Sequence, residues 1–238
     1  MITLELISII LPVHNQADHI GEIVREYEEA LQRVPHPHEL LLIVNNCRDD
    51  SLKVCDGLAA QFPSVRTIHS KEGGWGLAVK RGLREARGDL LCYTNSARTT
   101  GHDLILILLY AVAYPKVIVK ADRKIRDSLV RRLGSLLYNL ECRSLFDMPT
   151  WDVNGTPKVF PRTFSRLLEL AEDGDLIDAE FNAICRREHY PTLEVPILST
   201  RRHGGKSTTG FRTAIKLYWG AYQLSRKLPI IVPVQQER

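Results

Sequence analysis

Four times within the first hundred residues, the sequence passes from a short apolar run to a segment with helical apolar spacing, and few architectures accept that alternation. Residues 6–13 (LISIILPV), 40–44 (LLLIV), 65–69 (VRTIH) and 89–94 (DLLCYT) read as strands. Those at 6–13 and 40–44 are nearly continuous in apolar residues, as strands buried on both faces are. Between strands, Ile20, Ile23, Val24, Tyr27 and Leu31 share one helical face, as do Leu77, Val79 and Leu83 in a later segment opened by glycines. Asn15 is placed to cap the first helix. Alternating strands and helices predict an α/β fold with βαβ units and a mostly parallel sheet. Right-handed crossovers then bring the loops after the strands to one edge, where open sheets bind ligands. That edge should carry residues 14–16, 45–46, 71–76 and 95–98.

The second half is less regular. Its pattern predicts a helix over 104–113, a strand over 116–120, a basic amphipathic helix over 127–145, and a loop over 147–160 ending in a strand-like tail. Helices over 164–171 and 176–189, a strand over 192–198 and a last helix over 209–227 follow. With 238 residues, 44% of them apolar, and no low-complexity stretch, a single domain spanning 1–238 is expected. The N-terminal MITLELISIILPVHNQ has neither a basic leader nor a small-residue cleavage site, so it does not read as a secretory signal. The longest apolar stretch, 104–119, is interrupted by Pro115 and Lys116 and falls short of the roughly 20 residues a membrane span needs. Cys47, Cys55, Cys92, Cys142 and Cys185 are scattered and form no CxxC pair, which argues against zinc and for a reducing compartment. A cytoplasmic protein, extending to the inner face of the membrane, is the expectation.

A net charge of +4 does not suit a general nucleic-acid binder. The charge is unevenly placed: between Glu194 and Glu237 there is no acidic residue, while Arg201, Arg202, Lys206, Arg212, Lys216, Arg226 and Lys227 all fall there. This is either a solvated basic face or a surface that meets phosphate or anionic lipid. The last helix mixes Phe211, Tyr218, Trp219 and Tyr222 with these cations, a pattern that fits a membrane interface and equally fits docking against the domain. Dinucleotide-binding, P-loop, HExxH and GxSxG patterns are all missing.

An ordered set of motifs remains: ISIILPVHNQADHI, IVNNCRDDS, KEGGWGLAVKRGLREARGDLLCYTN, WDVNGTPKVFPR, LIDAEFNAICRREHYPTLEVPI and RRHGGKSTT. Together they resemble family 2 glycosyltransferases, in particular the polyprenyl-phosphate sugar synthase branch. The resemblance implies a GT-A type αβα sandwich, with a nucleotide-binding half over 1–100 and an acceptor half over 101–238. It implies a nucleotide-sugar donor and a polyprenyl-phosphate or glycan acceptor. It also places Pro12, His14, Asn15, Asn45, Asn46, Gly74, Asn95 and Ser96 at the donor. Asp152, with Asp178 and Glu180 as further candidates, would be the acceptor-side carboxylate. Trp151 would either stack on a sugar or fill core.

The chain departs from that family where negative charge matters. The family's metal-holding Asp-x-Asp reads Asn95, Ser96, Ala97; its paired Asp after the second strand reads Asn45, Asn46; its Glu after the first strand reads Gln16. Divalent ions need hard anionic oxygens, so no resident metal is expected, at most Mg2+ or Mn2+ held weakly with the donor diphosphate. Arg98, Lys120, Arg123, Arg131, Lys158, Arg202 and Lys206 are the candidate phosphate-binding cations. The same losses would also mark a catalytically inactive relative that binds nucleotide sugars as a regulatory partner.

Overall fold

A computed structural model describes residues 5–124, 129–198 and 211–228; the side chains of 129–132 and 211–215 are outside the description. Seven strands form one sheet: β1 (Ile7–Val13), β2 (His38–Asn45), β3 (Val65–Ser70), β4 (Leu90–Tyr93), β5 (Ile118–Arg123), β6 (Lys158–Pro161) and β7 (Thr192–Ile197). Their order is β3-β2-β1-β4-β6-β5-β7, and β6 alone runs antiparallel to its neighbours β4 and β5. The connecting helices are α1 (Ile20–Leu31), α2 (Ser51–Gln61), α3 (Trp75–Glu85), α4 (Gly101–Ala113), α5 (Leu129–Phe146), α6 (Ile177–Arg187) and α7 (Phe211–Lys227).

The continuous apolar strands follow from burial on both faces. Ile7, Ile9, Leu11 and Val13 of β1, with Leu40, Leu42 and Val44 of β2, pack beneath α1, α2 and α4. Ile10, Leu41 and Ile43 point the other way, into a cluster with Val79 and Leu83 of α3 and Phe181 of α6. A third cluster joins α5, α6 and α7 through Tyr138, Cys142, Ala183, Ala221 and Leu224. Four of the isolated cysteines, Cys55, Cys92, Cys142 and Cys185, lie in these clusters as buried free thiols.

Three local expectations are corrected. Asn15 does not cap α1, which starts at Ile20 with His19 before it; Asn15 adopts a left-handed conformation (φ 51°) and accepts the Arg48 amide instead. The fifth strand lies at 118–123, because Pro115 and Lys116 sit in a turn closed by Val117 N–H to the Tyr114 carbonyl, 3.0 Å. Only a 3-10 turn, Ser165–Leu168, forms within 164–171. The Ala171 amide there is taken by the Glu180 carboxylate, and Phe164 stacks flat on Tyr190 at 4.0 Å.

At the edge opposite the loops discussed below, Glu39 ties three strands together. It accepts from Ser8 Oγ (2.7 Å), Arg66 (2.8 Å) and the Arg87 amide (2.7 Å). Burial alone would raise its pKa, but these donors overcome it and hold the carboxyl below its usual value. A carboxyl depressed in the folded state binds fewer protons there than when unfolded, so its stabilisation is present at neutral pH and lost on acidification. Glu39→Gln should therefore flatten the fall in stability between neutral and acidic pH, read as urea midpoints across that range. An unchanged acid slope would contradict the role assigned to Glu39.

Candidate active site at the carboxyl edge of the sheet

The order of the strands reverses at β1, which lies between β2 and β4. That reversal opens a crevice between the carboxyl ends of β1 and β4, the usual ligand position in open α/β sheets. Gln16 follows β1 and Ser96 follows β4, and the crevice is bridged there: Ser96 Oγ donates to Gln16 Oε1 at 2.6 Å. Gln16, where the resemblance implies a carboxylate, is thus neutral and bonded to the middle residue of the Asn95–Ser96–Ala97 turn. Asn95 spends its side-chain oxygen on the Ala97 amide, 2.8 Å. Ala97 brings no ligand atom. Neutral, already engaged oxygens do not fit a hard divalent cation. Among the described residues, no group of three His, Cys, Asp or Glu is placed to hold one.

The other donor-side residues divide into framework and rim. Pro12 is buried inside β1, opposite Ile43, and reaches no ligand position. Asn45 is buried as well: its amide donates to the Val13 carbonyl (2.9 Å) and its oxygen accepts from the Gly74 amide (3.2 Å). An aspartate could not make the first bond, so Asn45 is a staple between three loops, not a base or ribose contact. Ser96 is 1% exposed and likewise held inside. His14, Asn15 and Asn46 are exposed at the ends of β1 and β2. His14 Nδ1 donates to the Asn45 carbonyl at 2.8 Å, which leaves Nε2 to accept from Asn15 at 3.1 Å. Asn46 turns the chain at φ 47°, a conformation asparagine tolerates better than most residues.

On the acceptor side the charges form one buried network. Lys120 and Lys158 are paired across β5 and β6 and have no exposed surface. Lys120 Nζ donates to Thr150 Oγ1 (2.5 Å), the Asp152 carbonyl (2.7 Å) and Glu194 (3.0 Å). Lys158 is ion-paired with Asp178, whose carboxylate also accepts from Tyr93 OH (3.0 Å) and Trp75 Nε1 (3.2 Å). Burial lowers the Lys158 pKa to about 8, with Asp178 pulling the other way. Arg123 clasps Asp152 in a two-pronged pair, Nε to Oδ2 at 2.7 Å and Nη2 to Oδ1 at 2.8 Å. Burial opposes the Arg123 charge, but the Asp152 carboxylate more than compensates and raises its pKa.

This geometry revises several assignments. Lys120 and Lys158 are not phosphate ligands, because both ammonium groups are enclosed and committed to protein oxygens. Arg123 is turned onto Asp152, so neither is an open cation or an open base. Glu180 is not catalytic: its oxygens accept the Ala171 and Glu172 amides at 2.8–3.0 Å and clamp that loop. Arg98 stands where expected, directly after the Asn95 turn. The Arg131 side chain and all of Arg202 and Lys206 lie outside the described residues. Trp151 is exposed, not core, with the Arg143 guanidinium 3.9 Å over its ring. Sequence reasoning missed Tyr93, Trp75, Thr150 and Glu194; the only advance signal was a polar-tipped aromatic ending β4 and another opening α3.

Against known proteins, the model of glycosyl transferase family 2 matches residues 8–163, which take in the bridged crevice and both lysines. The chain belongs to that family. Undecaprenyl-phosphate 4-deoxy-4-formamido-L-arabinose transferase of Pseudomonas fluorescens is 25% identical over 205 residues, covering 84% of this chain and 59% of the relative. The enzyme of that name from Sodalis glossinidius is 24% identical, covering 91% and 66%. The chain therefore spans about 60% of the length of such relatives. Glucosyl-3-phosphoglycerate synthase from Mycobacterium tuberculosis, solved with Mn2+, UDP and phosphoglyceric acid, superposes with a TM-score of 0.71 at 13% identity, covering 97% of this chain and 81% of that one. At that identity the likeness establishes the fold, a GT-A arrangement.

Proposed function

We propose that this family 2 chain transfers a sugar from a nucleotide-sugar donor to a polyprenyl-phosphate acceptor, with the donor diphosphate bound in the β1/β4 crevice and no resident metal. The observation that carries the metal-free reading is the neutral Asn95–Ala97 turn, in which Asn95 Oδ1 is taken by the Ala97 amide at 2.8 Å and Ala97 brings no oxygen, where a cation would need two carboxylates. The relatives named as undecaprenyl-phosphate transferases support the acceptor class.

One negative charge develops on the departing nucleoside diphosphate, which already carries two. A metal would stabilise this charge by several kcal/mol. Hydrogen bonds to charged groups are worth roughly 1.5–3 kcal/mol each, so two or three cationic contacts reach the same order. Arg98 is one; Arg202 and Lys206 of the basic closing loop are the others proposed. A phosphate oxygen of the acceptor attacks the anomeric carbon as the bond to the diphosphate breaks, with inversion. Such an acceptor is already an anion, so the reaction needs no general base, which agrees with Asp152 and Asp178 both being held in ion pairs. Asp152 and Asp178 then position the acceptor edge rather than move a proton.

Incubation with UDP-, GDP- and dTDP-sugars and a short-chain prenyl phosphate, in chelator, tests this by following nucleoside diphosphate release. Release with one donor that depends on the prenyl phosphate is the expected result. Donor binding without release, with or without Mn2+, would favour a non-catalytic nucleotide-sugar binder.

A further inference from the structure

Helix α5 carries a second face that is exposed among the described residues. Leu133, Leu136, Leu137 and Leu140 recur at helical spacing and are each between 43% and 58% exposed. The inner face is fully employed: Asn139 donates to the Trp151 carbonyl (2.6 Å) and accepts the Val153 amide (3.2 Å), while Cys142 and Phe146 are buried. Helix α7 packs along one side, with Tyr218 edge-on to Tyr138 and its hydroxyl on the Gly134 carbonyl at 2.8 Å. The aromatic and basic residues of α7 therefore split. Tyr218, Ala221 and Leu224 dock against the domain, and Trp219 and Tyr222 remain exposed beside a groove that also meets Glu141.

We infer that the outer face of the α5–α7 pair lies on an anionic lipid surface, with the four leucines, Trp219 and Tyr222 inserted at the headgroup boundary. Charge complementarity selects this occupant. Lys216 and Arg226 are exposed on α7, which has no carboxylate; Arg226 sits against the Tyr222 hydroxyl at 3.3 Å, and Lys227, also exposed, reaches Glu172 at 3.8 Å. Glu141 is the one acidic residue of α5. Apolar and aromatic side chains rimmed by lysine and arginine suit an interfacial helix over anionic lipid. A two-fold pairing with a second copy would instead set these cations against each other. The inference rests on the proposed acceptor class for its purpose: the inner face of α5 holds the loop carrying Asp152, so a membrane beneath the outer face would deliver a lipid phosphate to that edge.

The test is flotation of the whole chain with phosphatidylglycerol/phosphatidylcholine vesicles, alongside the variant Leu136→Ser/Leu140→Ser/Trp219→Ser. Binding to the anionic vesicles should weaken in high salt and on pure phosphatidylcholine, and the variant should bind at least about tenfold more weakly. Its melting temperature and its turnover of a soluble short-chain prenyl phosphate should stay unchanged. No vesicle binding by the parent chain would overturn the inference. So would a dimer dissolved by the substitutions, or a variant with a clearly lower melting temperature, since the face would then belong to a second copy or to this chain's own packing. Vesicle binding without turnover of any donor would refute the proposed function alone; turnover without vesicle binding would refute the surface alone.

Discussion

Asp178→Asn should lower folding stability by about 3–5 kcal/mol, the usual cost of removing one partner from a buried ion pair. Asp178 and Lys158 are both buried, and among the described residues no other carboxylate is bonded to the ammonium. An amide at 178 leaves that charge stranded between Lys120 and the rings of Tyr93 and Phe181, whose centroids lie 5.4 and 5.7 Å away. The loss is specific to the pair, so Lys158→Met in the Asp178→Asn background should restore most of it. Urea unfolding of the parent, both single variants and the double variant forms a closed cycle that measures the coupling. A mild single variant, or additive effects, would mean that the pair is not what holds β6 to α6.

Placing carboxylates at 95 and 97 should create a metal dependence in diphosphate binding. In Asn95→Asp/Ala97→Asp the turn survives, because an aspartate at 95 can still accept the Ala97-position amide that Asn95 accepts at 2.8 Å. Two hard oxygens would then face the crevice beside Ser96. Mn2+ should raise the nucleoside diphosphate affinity of this variant at least about tenfold, well within the several kcal/mol a divalent ion supplies. In chelator the variant should bind more weakly than the parent, because two new anions repel the diphosphate. Manganese-insensitive binding by the variant would show that residues 95–97 do not meet the phosphates.

The sheet was legible because a strand buried on both faces has to be largely apolar, and residues 7–13 and 38–45 form interior strands of it. Helical spacing located α1 and α3 for the same reason. The site was legible only as an address. Sequence order puts Asn45, Ser96, Lys120 and Lys158 at the carboxyl edge, but residue type does not say whether a polar side chain faces outward or is consumed within. Asn45 and Lys120 are consumed, the first by backbone groups and the second by Thr150, Glu194 and the Asp152 carbonyl. Lys158 shows the limit most plainly, since its partner Asp178 lies 20 residues away on another element. The segment 164–171 has helical composition, but its ends are committed elsewhere: the Ala171 amide donates to Glu180 and Phe164 stacks on Tyr190.

Titration calorimetry of UDP, GDP and dTDP into the parent chain, once with Mn2+ and once with excess chelator, reaches the claim on which everything else depends. Cationic side chains in place of a coordinated ion predict that the preferred diphosphate binds with dissociation constants within about threefold of each other in the two conditions. Tight binding in Mn2+ that vanishes in chelator would contradict the account, as would no diphosphate binding in either.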